Sequence, residues 1–299
     1  MVENKLKEYE EESFRHVDDP LEKPFEVQEI EAVCRKLPSG KCGGLDGLTY
    51  EHLKYGGQVL YATLTKIFNC VCILEHFVDE WTVGSIISIL RSGKKQKLLK
   101  ASYRGITLLN IIGKVFERLF LNRWLERFQS IGVPNQYQFA YQNNKSCILS
   151  SYLLQECVAH NVERGSKVYC CFMDSSKAFD TVWLDGLFYK LYNIGMKGKS
   201  WRILINWYAK LQCCVSLNGK LSSMFPVNQG VRQGSFVLSP RLYMCYNNDI
   251  PEVLHTRDGI TIGDINCDSV LVADDITLVS LRVHGLQRMI DAMVMQLQQ

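Results

Sequence analysis

Three aspartates, at two places in the chain, are of a type and spacing that could hold metal ions. Asp174 ends the apolar run VYCCFMD, and Asp274-Asp275 sit at the centre of SVLVADDITLV. A carboxylate leaving a buried strand for a loop occupies a place where function is often found. Adjacent acids on a turn repel each other and need a reason to be there. Taken singly, each site would more often be an ordinary turn or cap, since Asp is common at both. Taken together they suggest more. If the two strands pair, three carboxylates converge on one edge of a sheet, forming a hard-oxygen site suited to Mg2+. Two such ions about 3.5–4 Å apart would activate a hydroxyl nucleophile and stabilise a leaving pyrophosphate.

The elements that must position these residues follow from periodicity. Val168 to Asp174 reads as a short buried strand, and Ser269 to Leu281 as two strands around a turn at Ala273-Asp274-Asp275. Upstream, an amphipathic helix is predicted with Phe25, Val27, Ile30, Val33 and Leu37 near one face, stopped by Pro38 and Gly40. Lys41 to Gly47 must be loop. Thr49 is an N-cap for a helix to about Lys54, and another helix fills the late 50s to late 70s. Ser85 to Arg91 reads as a strand. Ile111 to Phe128 and a Ser146-capped segment to about Arg164 read as long helices, and further helices are expected at 184–192, 200–211 and 240–248. Asn218-Gly219 is a strong hairpin signal between Val215 and Val227. Strands interleaved with long helices give an α+β fold class, without internal repeats.

Composition sets outer bounds. The 299 residues, 47% apolar and 22% charged, suit a globular chain with a sizeable core. No apolar run of membrane-spanning length is read, so no membrane partner is expected. The acidic N-terminus is unlike a signal peptide. Twelve scattered cysteines without a C-x-x-C point to free thiols in a reducing, intracellular compartment. Net charge is only +3, but Trp81 to Phe116 holds no Asp or Glu while carrying Arg91, Lys94, Lys95, Lys97, Lys100, Arg104 and Lys114. Such a window suits phosphate contact, with a solvated basic loop as the equal alternative.

A family resemblance joins these pieces. FMDSSKAFDTVWLDGL resembles motif A of reverse transcriptases, NQGVRQGSFVLSP motif B, and VADD motif C. KCGGLDGLTYEHLK and ASYRGITLLNIIGKVFERL are similar to the lead and fingers motifs of the non-LTR (LINE-type) retrotransposon enzymes, and NQYQFAYQNNKSC to the next in the series. Six matches in the family's order, over roughly residues 25–290, are specific where one alone is weak. The resemblance implies a right-hand polymerase with fingers and palm. It implies Asp174 and Asp274 as principal ligands of two Mg2+ ions (Mn2+ as a substitute), with Asp275 as a neighbouring acid. Its expected partners are an RNA template, a DNA primer and dNTPs. Phe179, five residues after Asp174, would lie under the nucleotide sugar, where a ring collides with a 2′-hydroxyl. Arg104, helped by Arg91 or Lys94, would hold the triphosphate, since a guanidinium grips phosphate bidentately. Gln233 and Gly234 would line nucleotide and template, the glycine permitting close backbone approach. Asp180 is expected to cap the following segment rather than bind metal.

The expected organisation is a charged lead-in at 1–24, an N-terminal helical extension carrying the lead motif at 25–84, and the reverse transcriptase domain at 85–299. The chain departs from the family pattern at Phe236, an extra residue in motif B, and at Val272, which replaces an aromatic before Ala273. It stops at Gln299 within a predicted helix, so the thumb is expected to be missing and the chain to be a fragment of a retrotransposon polyprotein. Two other readings stay open: a catalytically inactive nucleic-acid-binding remnant of the fold, and an intron-maturase-type RNA-binding protein.

Overall fold

The computed structural model describes residues 2–90, 99, 102–235, 237–254, 258–263 and 265–297. Its first half runs α1 (Val2–Ser13), α2 (Val27–Arg35), α3 (Tyr50–Lys54), α4 (Gly57–Leu74), α5 (Asp79–Thr82), β1 (Val83–Leu90), β2 (Tyr103–Leu109) and α6 (Ile111–Ser130). There follow α7 (Cys147–Glu163), β3 (Tyr169–Met173), α8 (Leu184–Asn193), α9 (Lys199–Ala209), β4 (Gln212–Leu217), β5 (Lys220–Leu221) and β6 (Phe225–Pro226). The remainder is α10 (Leu238–Tyr246), α11 (Ile250–Leu254), β7 (Thr261–Ile262), β8 (Ile265–Asn266), β9 (Ser269–Val272), β10 (Asp275–Ser280) and α12 (Val283–Leu297). The α+β class expected from the sequence is the one found.

Two compact units share these elements: Met1–Arg127 with Phe179–Pro240, and Phe128–Ala178 with Arg241–Gln299. In the first, the strands order as β2-β1-β4-β5, with β6 also on β4. The β1–β4 pair is parallel, and β2, β5 and β6 add antiparallel. The Asn218-Gly219 turn closes β4 onto β5 with both residues at positive φ (50° and 77°), as an Asn-Gly hairpin loop requires. The core of this unit is aromatic: Phe77 stacks on Trp207 at 3.8 Å, Trp81 and Phe116 meet that pair edge-on, and Phe68 packs on Trp81 and Phe116 in turn.

Two sequence expectations need correction here. The lead-in before Phe25 is not outside the core. Tyr9 of α1 stacks on Tyr192 at 3.9 Å, Ser13 and Leu21 are buried, and Asp19 accepts the Ser200 amide at 2.9 Å. Membrane-spanning length is the other. By length and composition alone α4 is long and apolar enough to cross a membrane, although its Tyr61, Leu64, Phe68, Val71 and Cys72 are buried within the first unit.

In the second unit the sheet order is β3-β10-β9, antiparallel throughout. Alternation along β10 divides its side chains between two faces. Ile276 and Leu278, with Leu271 on β9, pack against Ile250 and Leu254 of α11 and Met289 and Met293 of α12, so helices cover that face. On the other face the Val279 end is closed by Cys157 of α7, Ile260 and Cys267. The Asp275 end is open, with Phe172 of β3 72% exposed.

Candidate active site

Register decides where the acids fall. The last β3–β10 pair is Met173 with Ile276, so Asp174, one step on, lies opposite Asp275. Both follow the exposed alternation, on the face away from α11 and α12. Val272 pairs with Asp275, leaving Ala273 and Asp274 as a two-residue hairpin loop. The predicted strands therefore do pair, and they bring all three aspartates to one edge of one sheet. Asp275 senses its two neighbours. Partial burial, then the charges of Asp274 and Asp174, raise the Asp275 carboxyl above its ordinary value.

The donor set is all carboxylate oxygen, the chemistry a hard divalent cation prefers. A cation there would relieve the mutual repulsion felt at Asp275. The carboxylates are gathered but not closed into a cage: among the described residues no group of three or more His, Cys, Asp or Glu is arranged to hold a metal ion as it stands. Asp174 and Asp275 are exposed, and Asp274 is half-buried at the turn.

The residues expected around a nucleotide lie in the first unit. Arg104 is exposed on β2, paired in register with Ile89. Gly234 sits under the same strand: a Cβ there would stand 1.7 Å from the Thr107 carbonyl oxygen, so only glycine fits. The glycine thus permits a close backbone approach to the protein's own strand. Phe179 is half-buried, and its carbonyl accepts the Val231 amide at 2.7 Å, tying the residues after motif A to motif B. Gln233 donates its side-chain amide to Asp180 at 2.6 Å. That corrects the role given to Asp180, because the N-cap of α8 is Trp183 and has no side-chain cap. Beneath this loop Arg232 pairs with Glu117 at 2.7 Å, both almost fully buried, and Glu117 also accepts the Ser235 hydroxyl. Ser235 in turn accepts the Leu238 and Ser239 amides, both at 3.2 Å, and so caps α10. Arg91, Lys94 and Phe236 lie outside the described residues.

Two residues near the aspartates were not singled out from sequence. Tyr243 on α10 hydrogen-bonds Ser175, and its hydroxyl is pushed up to about 12 by burial, with the Asp274 charge adding to the rise. Gln138 accepts the Ala273 amide at 2.8 Å. Tyr243 lies within an apolar helix and Gln138 within a quoted motif, but neither carries a local signal of its role.

Comparison with known proteins agrees with the motif series. Residues 93–299 match the family described as Reverse transcriptase (RNA-dependent DNA polymerase). The RNA-directed DNA polymerase from mobile element jockey of Drosophila melanogaster is 29% identical over 296 residues, 93% of this chain and 31% of its own length. The probable RNA-directed DNA polymerase from transposon X-element of the same fly is 31% identical over 77% of this chain and 25% of its own length. The chain thus spans about a third or less of these relatives. Among solved structures, apo telomerase from Candida tropicalis, truncated from its C-terminal domain, superposes with a TM-score of 0.51 at 12% identity. That match covers 79% of this chain and 51% of the telomerase chain, and it shows the shared fold. The chain belongs to the reverse transcriptase family, in the branch carried by LINE-type retrotransposable elements.

Proposed function

We propose that this chain supplies the fingers and palm of an RNA-directed DNA polymerase, extending a DNA primer 3′-hydroxyl with dNTPs along an RNA template. The family works with divalent metal ions; here the reading is two Mg2+ ions, held mainly by Asp174 and Asp274 with Asp275 beside them. The observation that carries the proposal is the β3–β10 register, which sets Asp174 opposite Asp275 at the tip of the β9–β10 hairpin. When bound, the ions supply Lewis acidity at the attacking hydroxyl and the leaving pyrophosphate.

The protein's own groups do the rest by orientation. Asp174 and Asp275, on the open face of the sheet, face whatever the sheet receives. Arg104 offers a guanidinium to the triphosphate. The Phe179 ring crowds the sugar at C2′ and so selects deoxyribose. Gln233, with its amide held by Asp180, and Gly234, seated on Thr107, give the nucleotide and template a fixed wall.

The test is extension of a 5′-labelled DNA primer on an RNA template with dNTPs and Mg2+. Templated extension supports the reading. No extension, together with RNA binding that weakens steeply with salt, would show a nucleic-acid-binding protein that keeps the fold without the chemistry.

A further inference from the structure

The turn that carries Asp274 is held in a costly conformation. Ala273 has φ +59°, the left-handed region, at the first position of a two-residue hairpin loop. That place normally falls to glycine, because a Cβ is disfavoured there. An alanine persists in such a conformation only when its surroundings over-determine it.

Those surroundings are one side chain. Gln138 is 4% exposed, and its amide engages both peptide groups of Ala273. Its Oε1 accepts the Ala273 N–H at 2.8 Å, and its Nε2 donates to the Ala273 carbonyl at 3.4 Å. The same Oε1 accepts the Ala140 amide at 2.9 Å, which fixes the side chain from its own loop. The backbone around it is fixed as well. Leu271 donates to the Tyr137 carbonyl at 3.0 Å and accepts the Phe139 amide at 2.7 Å, so Gln138 bridges parallel onto β9. Its carbonyl accepts Lys145 Nζ at 3.2 Å. Gln138 thus arrives at the turn already immobilised, from a segment 135 residues away in sequence.

We propose that Gln138 is a positioning residue for the carboxylate site, clamping the Ala273 peptide units and so setting where Asp274 and Asp275 present their oxygens. The proposal rests on the polymerase reading above. Glutamine suits the task because its planar amide carries one acceptor and one donor, matching the N–H and C=O of a single residue. A carboxylate in its place would lose the donor and add a fourth negative charge beside three.

Two measurements on wild type and Gln138→Leu test it: hydrogen exchange at the Ala273 amide, and single-turnover primer extension as a function of Mg2+. The expected results are faster Ala273 exchange and a rate at least roughly tenfold lower at sub-saturating Mg2+, since small misplacements of catalytic groups are costly. The half-maximal Mg2+ concentration should rise, with RNA affinity and dNTP KM little changed. A role in folding alone would lower the melting temperature and the active fraction but leave the Mg2+ dependence where it was. Gln138→Leu combined with Ala273→Gly should recover part of the lost rate, because glycine adopts the turn unaided. A Gln138→Leu enzyme with wild-type rate and Mg2+ dependence overturns the proposal. A wild-type protein that protects the Ala273 amide but never extends a primer refutes the polymerase reading and leaves the clamp standing.

Discussion

The Glu117–Arg232 pair offers the sharpest test of what holds the motif B loop. Their side chains are 2% and 6% exposed, and the N–O distance is 2.7 Å. The Arg232 guanidinium also lies 4.8 Å from the Trp207 ring centroid. Two desolvated charges are worth little net against a well-packed apolar pair, yet removing one strands the other at about 3–5 kcal/mol. The charge stranded by each removal differs. Lys114 feels both partners: its pKa is lowered first by burial, while Glu117 raises it and Arg232 lowers it. Glu117→Leu would leave the buried Arg232 without its carboxylate and remove the charge that favours the Lys114 ammonium, so it should cost about 4–5 kcal/mol. Arg232→Leu leaves Glu117 with Lys114 and should cost nearer about 3 kcal/mol. The double variant should cost about 0–2 kcal/mol, far below the sum of the singles, which would rival the stability of a whole domain. Urea titration followed by tryptophan fluorescence reads this directly, with Trp207 beside the site. Singles each costing under about 1 kcal/mol, or a double equal to their sum, would refute the argument.

Three further outcomes follow from the same structure. Gly234→Ala drives a Cβ to 1.7 Å from the Thr107 carbonyl, so it should cost about 1–3 kcal/mol or more by thermal melting and depress primer extension; a neutral result would mean the loop is free to move. Phe179→Ala should admit ribonucleotides, read as a rise in rNTP over dNTP incorporation, and unchanged discrimination would remove the sugar-gate assignment. The Asp275 carboxyl is raised in the folded state by partial burial and by Asp274 and Asp174. Relative to the unfolded chain its ionisation therefore opposes folding: the favourable contribution is present in acid and lost as pH rises through the folded-state value. Asp275→Asn should raise the melting temperature slightly at pH 7, and the gain should vanish in the acid range where the carboxyl is protonated in both states. A gain that persists there would contradict the cause given.

How much of this was legible beforehand depends on whether the signal was local. The Asn218-Gly219 hairpin, the Thr49 and Ser146 helix starts and the two aspartate strands are written in neighbouring residues, and each element forms there. The sequence carries no clear signal for β2, because Arg104-Gly105 and the basic window around it hide the β pattern of ITLL. The acidic VENKLKEYEEES run suggests a solvated lead-in, and its docking depends on Tyr9 meeting Tyr192 far along the chain. Asp180 looks like a cap because Asp so often is one, while its partner, Gln233, is 53 residues away. The site itself divides in the same way. Motif and spacing pointed to the aspartates, but the clamp on their turn joins residues that no sequence window contains.

The central claim is that Asp174 and Asp274 are the carboxylates at which primer extension takes place. Single-turnover extension on an RNA template in Mg2+ should be compared between wild type, Asp174→Asn, Asp274→Asn and Arg282→Ala, each verified as folded by its melt. Arg282 is exposed just past β10 and serves as the control. Each asparagine variant should lose about a hundredfold or more in rate, the equivalent of about 3 kcal/mol of transition-state stabilisation, while Arg282→Ala stays near wild type. Full activity in either asparagine variant would contradict the assignment.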